Sequence, residues 1–333
     1  MNKIDRIKAA ISGEKPDVLP YSLWTHLPEI DLDPKLLAEK TYEFYKRYDV
    51  DFIKTMNNGM YAVENFGCEV DYSEIKKGGV AHITKTMVHK KEDWAQIEPV
   101  GLNGGAISRE LLSLKLTLEK TKGEVPVIFT VFSPITTANK ICCNKLLEHI
   151  SDGGSELVHN ALRAITQTTC RLAEKAIEMG ADGVFFASQM SNYNVMPEDI
   201  YLEYGKKYDL QVLEAASKGW FNTLHAHGSD IMFDLLKDYP VQVFNWHAWE
   251  SLPNLLEAQE ITGKCLLGGI QRMDITNCRK NELQSQIYNC IKQLGGRKHI
   301  LSPGCVIRYP LDEKTLDFVR KVKLEIEEKV LRK

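Results

Sequence analysis

Two histidines stand one residue apart in FNTLHAHGSD (221–230), and a cysteine closes the stretch SPGC (302–305). Imidazole nitrogen and thiolate sulfur are the ligands zinc favours, and catalytic zinc sites take three from the protein and keep a fourth position open. On a β-strand alternate side chains project from one face, so His225 and His227 would point the same way. Cys305 would have to reach them from another strand. The residues alone leave three readings open: a metal site, a pair of proton-transfer groups, or polar side chains satisfying a strand end.

The choice depends on what positions them. Short apolar runs alternate with amphipathic segments almost from end to end. The runs are LPYSLW (19–24), DFIKTM (51–56), PVIFTVF (126–132), GVFFAS (183–188), FNTLHAH (221–227), VQVFNW (241–246), CLLGGI (265–270) and HILSPG (299–304). Between most of them apolar residues recur at three- and four-residue spacing, as in SELVHNALRAITQTTCRLAEKAIEMG, which is helix periodicity. Eight strands each followed by a helix predict a single α/β domain over residues 1–333, a (β/α)8 barrel opened by an N-terminal helix. KKGGVAHITKTMV (76–88) reads as a hairpin inserted after the second strand. The rival architecture is an open doubly wound sheet.

In such barrels chemistry gathers where the strands end and the βα loops begin. Polar residues collect at those ends here: His26, Asn57 and Asn58, Ser188 and Gln189, His225 and His227, His247, Gln271 and Cys305. His247, within NWHAW, is a candidate general base or a partner behind the ligands; its plain alternative is a packed rim histidine. Gln271, Asn57 and Asn58 are candidates to hydrogen-bond substrate, although each is equally suited to tying down a loop. Gln189 can orient a ligand, and Trp24 and His26 can line the pocket. Lys140, with Asn139 in SPITTANK, and Arg308 can meet an anionic group, where the plain alternative is a solvated cation. Cys142 and Cys143 lie next to each other on a helical stretch, face different ways and read as packing.

Bulk properties narrow the classes. With 333 residues and 44% hydrophobic content the chain can bury a large core. A net charge of -3, with basic and acidic residues interspersed, gives no basis for nucleic-acid or membrane-surface binding. No window approaches the ~18 apolar residues of a membrane span, and the start, MNKIDRIKAAISGEKPD, is a charged helix with no secretory core. Eight cysteines without paired spacing read as reduced thiols, so a cytoplasmic location is expected. A homo-oligomer is compatible with this composition.

RIKAAISGEKPDVLP (6–20), GADGVFF (180–186), HAHG (225–228), LLGGIQ (266–271) and HILSPGCVI (299–307), in that order, resemble the uroporphyrinogen decarboxylase family. The likeness runs along nearly the whole chain and implies a (β/α)8 barrel. It also implies departures from the decarboxylases themselves. Their arginine-rich stretch after the first strand, which clamps substrate carboxylates with bidentate donors, is replaced by LWTHLPEID, which has no arginine. Their pyrrole-facing aspartate falls on Asn58, their tyrosine on Lys140, and the histidine of their LGHG motif on Cys305.

The cobamide-dependent methyltransferases of the same superfamily are the better match. That branch is similar in having HxC at the fifth strand and a cysteine in an SPGC-like turn at the eighth, together binding zinc. Carried over, His225 matches the histidine, His227 stands in place of the first cysteine, and Cys305 matches the second. Two imidazoles and one thiolate would leave zinc a stronger Lewis acid than one imidazole and two thiolates. The resemblance thus implies a zinc-dependent transfer of a methyl group from a corrinoid, carried by a partner protein, to a small thiol. The alternatives are a decarboxylase or lyase acting on another acid, and a non-catalytic corrinoid- or tetrapyrrole-binding protein.

Overall fold

The computed structural model describes residues 1–28, 30–77 and 80–331. Its strands are numbered along the chain. Among the described residues β1 (Ile53–Lys54) is followed by a two-stranded antiparallel hairpin of β2 (Glu69–Asp71) and β3 (His82–Lys85). Then come β4 (Val127–Phe132), β5 (Gly183–Ser188), β6 (Thr223–Ala226), β7 (Val243–Trp246), β8 (Cys265–Ile270) and β9 (His299–Pro303). β1 and β4 to β9 form one curled parallel sheet in chain order, with helices covering the crossovers. Every residue of β4, β5 and β8 is buried. Burial on both faces is why these strands read as unbroken apolar runs.

Helix ends follow local chemistry. Asn2 caps the helix Lys3–Ser12 by accepting from Asp5 N, and left-handed Gly13 ends it. Asp33 accepts from Lys35 N and Leu36 N ahead of the helix Pro34–Tyr48, whose first-turn proline has no N–H to satisfy. Among the described residues no helix is long and apolar enough to cross a membrane.

Two sequence expectations need correction. The first expected strand, 19–24, does not form a ladder. Pro20 has no N–H, Leu19 N donates to the Glu327 carboxylate at 3.0 Å, and Tyr21 N donates to the Asp51 carboxylate at 2.9 Å. The segment instead touches both edge strands of the sheet. Leu301 N donates to Pro20 O at 2.9 Å and Ser22 N to Leu301 O at 3.0 Å, while on the other side Ser22 Oγ donates to Phe52 O at 2.8 Å. Isolated parallel bridges, Tyr21 with Leu301 and Thr25 with Ile307, take the place of a strand. The inserted hairpin also lies earlier than 76–88: it pairs Val70 with Ile83 and Asp71 with His82. Gly78 and Gly79 of the expected hairpin lie outside the described residues.

Candidate metal centre

His225 sits on β6, and His227 follows the strand end with its N–H still donating to Ser188 O of β5 at 2.9 Å. His247 directly follows β7, and Cys305 follows β9. The turn at Gly304 makes their meeting possible. A Cβ added there would stand 2.6 Å from Trp246 O and 3.0 Å from His247 Cα. Only glycine lets that backbone press against the end of β7, and the contact carries Cys305 past β8 to the histidines.

One donor atom from each of His225, His227, His247 and Cys305 lies within 4.8 Å of all the others. Cys305 Sγ is 3.7 Å from His227 Nδ1. Two donors on one tetrahedral zinc, at bond lengths of roughly 2.0 and 2.3 Å, stand about 3.5 Å apart. The donor set and its spacing therefore fit a zinc ion with small side-chain adjustments. The rings of His227 and His247 are 4.9 Å apart and nearly perpendicular, and both lie about as far from His225, at 5.8 and 6.0 Å.

The hydrogen bonds around the cluster decide which nitrogens are free. Asn245 Nδ2 donates to Leu267 O at 2.7 Å, so its Oδ1 must be the atom facing His225 Nδ1 at 2.6 Å. His225 therefore carries its proton on Nδ1 and offers Nε2 to the cluster. Glu250 Oε2 lies 3.2 Å from His247 Nδ1, and the buried His247 Nε2 has no hydrogen-bond partner. A carboxylate on one nitrogen and a bare inner nitrogen leave His247 able either to bind a cation or to take up a proton at the cluster.

Electrostatics favour an ionised sulfur. Burial alone would push the Cys305 thiol up, but the imidazoles of His225, His227 and His247 hold it well below its ordinary value. Burial lowers His225 despite the opposing influence of Cys305. For His247 burial works downward, and the Cys305 sulfur outweighs it, leaving the group raised. A sulfur that ionises among imidazoles is ready to bind a cation.

The cluster borders a cavity of about 370 Å³. Trp24, His26, Asn57, Asn58, Lys140, Gln189 and Arg308 all line it, together with His225, His227 and Cys305. His247 stands behind that wall. Two of the lining amides are already engaged: Asn57 Nδ2 donates to Glu110 at 2.9 Å and Asn58 Nδ2 to Asp31 at 3.3 Å. Gln271 is not in the lining. It stands at the N-cap position of the helix Arg272–Thr276 without a side-chain capping bond, its N–H donates to Gln286 Oε1, and the neighbouring Arg272 reaches the cavity instead.

Sequence reasoning passed over Asn245, Glu250, Lys54 and Asp31. Lys54 and Asp31 line the cavity, while Asn245 and Glu250 support the histidines. Two of them left a signal in the sequence. Lys54 is a lone charge inside the apolar run DFIKTM, and Asn245 stands two residues before His247, on the same strand face.

A family model described as uroporphyrinogen decarboxylase (URO-D) matches residues 2–323. Similar curated proteins include the methylcobamide:CoM methyltransferase MtaA of Methanosarcina barkeri, 23% identical over 212 residues, or 60% of this chain and 62% of that protein. Another is the methylcobamide:CoM methyltransferase MtbA of Methanosarcina acetivorans, 24% identical over 154 residues, or 46% of this chain and 44% of that protein. The chain thus spans about half to three-fifths of these relatives' length. Among solved structures, a methyltransferase from Methanosarcina mazei superposes with a TM-score of 0.81 at 18% identity, covering 98% of this chain and 99% of that one. A B12-independent methionine synthase from Shewanella sp. W3-18-1 gives 0.58 at 13% identity, covering 95% and 99%. These superpositions show a shared fold, and the family match runs along nearly the whole sequence. The chain belongs to the uroporphyrinogen decarboxylase family.

Proposed function

We propose that this protein transfers a methyl group from a methylated corrinoid, carried by a partner protein, to a small thiol held beside a zinc ion. His225, His227 and Cys305 would hold the zinc. The observation that carries this reading is the convergence of four imidazole and thiol donors within 4.8 Å at the edge of a cavity. The likeness to methylcobamide:CoM methyltransferases supports the choice of reaction. We also read the chain as one (β/α)8 barrel domain, with residues 19–25 standing as the eighth stave.

Bound zinc would supply a Lewis acid that lowers the pKa of a thiol in its open position, where a free thiol is only slightly ionised near neutrality. The chain's own groups do the rest. Asn245 fixes the His225 ring so that only Nε2 faces the cluster. His247 takes the proton the thiol gives up, because its Nε2 is bare and its Nδ1–H faces the Glu250 carboxylate, which steadies the imidazolium. Phe185 stacks on His225 at 5.2 Å, Trp24 packs edge-on against Phe185 at 5.8 Å, and the Lys54 ammonium lies over the Phe185 ring. The cavity accommodates a small metabolite, so the corrinoid is presented at its mouth.

The test is consumption of methylcobalamin by the purified protein with a panel of thiols, before and after a chelator. Thiol-dependent, chelator-sensitive demethylation is expected. Activity on an acid that survives the chelator would favour a metal-free lyase instead.

A further inference from the structure

Among the described residues two lysines are buried, and their surroundings differ. Lys323 is met by the Glu327 carboxylate at 2.8 Å. Lys54, on β1, is 4% exposed, and among the described residues no carboxylate pairs with it. Its Nζ donates to Thr55 O at 3.2 Å and lies 5.1 Å from the centre of the Phe185 ring. A buried cation without a counter-charge is costly. Loss of hydration lowers Lys54 to about 8, against a smaller raising influence of the Cys305 sulfur. A usable share is therefore free amine near neutrality, the state in which a lysine attacks a carbonyl carbon.

A second observation is independent of that charge. Lys54 and Trp24 line the same cavity of about 370 Å³ and pack on the same ring, Trp24 standing edge-on to Phe185 at 5.8 Å. The Trp24 indole N–H is buried and has no acceptor. A carbonyl group would suit both residues, its carbon facing the amine and its oxygen taking the N–H. A purely structural lysine explains neither the missing counter-charge nor the unmet donor.

We infer that Lys54 is a nucleophilic amine that condenses with a small neutral aldehyde or ketone admitted to the cavity and holds it as an imine. The amine nitrogen bonds to the carbonyl carbon while the π pair moves to oxygen. Two protons then pass from nitrogen to oxygen, the oxygen leaves as water, and the C=N bond forms. No oxidant or reductant is consumed. His26 lines the same cavity, and burial followed by the Lys54 charge holds its imidazole neutral, so that ring can relay the protons. This chemistry lies outside the proposed methyl transfer and uses neither the zinc nor a thiol.

The test is borohydride trapping. Zinc-loaded protein is incubated near neutral pH with acetaldehyde or with acetone, pulsed with sodium borohydride, and mapped by peptide mass spectrometry. Alkylation of Lys54 should exceed that of an exposed lysine by about 10- to 100-fold, because far more of it is free amine. Lys54→Met should lose the label, and Trp24→Phe should slow labelling at Lys54. Labelling of Lys54 no faster than that of exposed lysines, or labelling centred on Lys140, would overturn the site whatever happens to methyl transfer. Preferential labelling of Lys54 in protein that transfers no methyl group would support the imine and defeat only the proposed reaction.

Discussion

Asn245 and His225 face each other across paired strands, with Oδ1 2.6 Å from Nδ1, and Asn245 cannot turn over because its amide N–H is bound to Leu267 O. One amide thus sets the tautomer of the histidine that offers Nε2 to the cluster. The constraint runs from β8 through β7 to β6, so the sheet itself orients the donor.

Removing that constraint should weaken metal binding without touching a ligand. Asn245→Leu keeps the approximate volume and removes the acceptor. Zinc affinity, read by competition with a chelating dye, should fall about 10- to 100-fold, with the fold unchanged by circular dichroism. Wild-type affinity in this variant would show that the tautomer is set elsewhere.

His247 separates proton transfer from coordination. His247→Ala should retain most of the zinc and lose roughly 100-fold or more in turnover. Glu250→Gln removes the charge that steadies the imidazolium, so the acid limb of the rate profile should move to lower pH. Loss of zinc in His247→Ala would instead make His247 a ligand.

Lys54 and Lys140 give stability an unusual alkaline dependence. Loss of hydration on burial lowers each to about 8 from an ordinary value near 10.5. Below pH 8 both are charged in folded and unfolded chains, and the full cost of burying them is present. Between about pH 8 and 10.5 the unfolded chain binds more protons, so these groups make stability rise with pH. Lys54→Met should stabilise the protein by roughly 2 kcal/mol at pH 7, and the rise above pH 8 should shrink. Denaturant melts at pH 7 and pH 9.5 measure both effects.

Much of this was legible in the sequence, for identifiable reasons. The fully buried strands β4, β5 and β8 announce themselves as apolar runs, and HAH and SPGC mark the strand ends that carry the donors. The segment 19–24 has the same apolar look. Its backbone N–H groups, however, are claimed by Asp51 and by Glu327, 308 residues away, and no local pattern reveals that. His227 was expected within a strand and lies just past one; the β5 carbonyl of Ser188 keeps it in line. Asn245 escaped notice because it acts through His225 on the neighbouring strand, and Glu250 because it acts only through His247, three residues before it. Gln271 was singled out for its position after a strand, yet the turn into the helix Arg272–Thr276 sends Arg272 to the cavity in its place.

The control for the cluster is a cysteine outside it. Cys143 is exposed and is not one of the clustered donors. Cys143→Ala should leave zinc content and transfer as they are, whereas His225→Ala and Cys305→Ala should each lose both.

The central claim is that imidazoles from β6 and a sulfur from beyond β9 share one ion, and elemental analysis of gently purified, untagged protein tests it most directly. Stoichiometric zinc in the wild type, lost in His225→Ala and in Cys305→Ala, is the expected result. Protein that holds no zinc when supplied with it, or variants that keep wild-type zinc, would contradict the account.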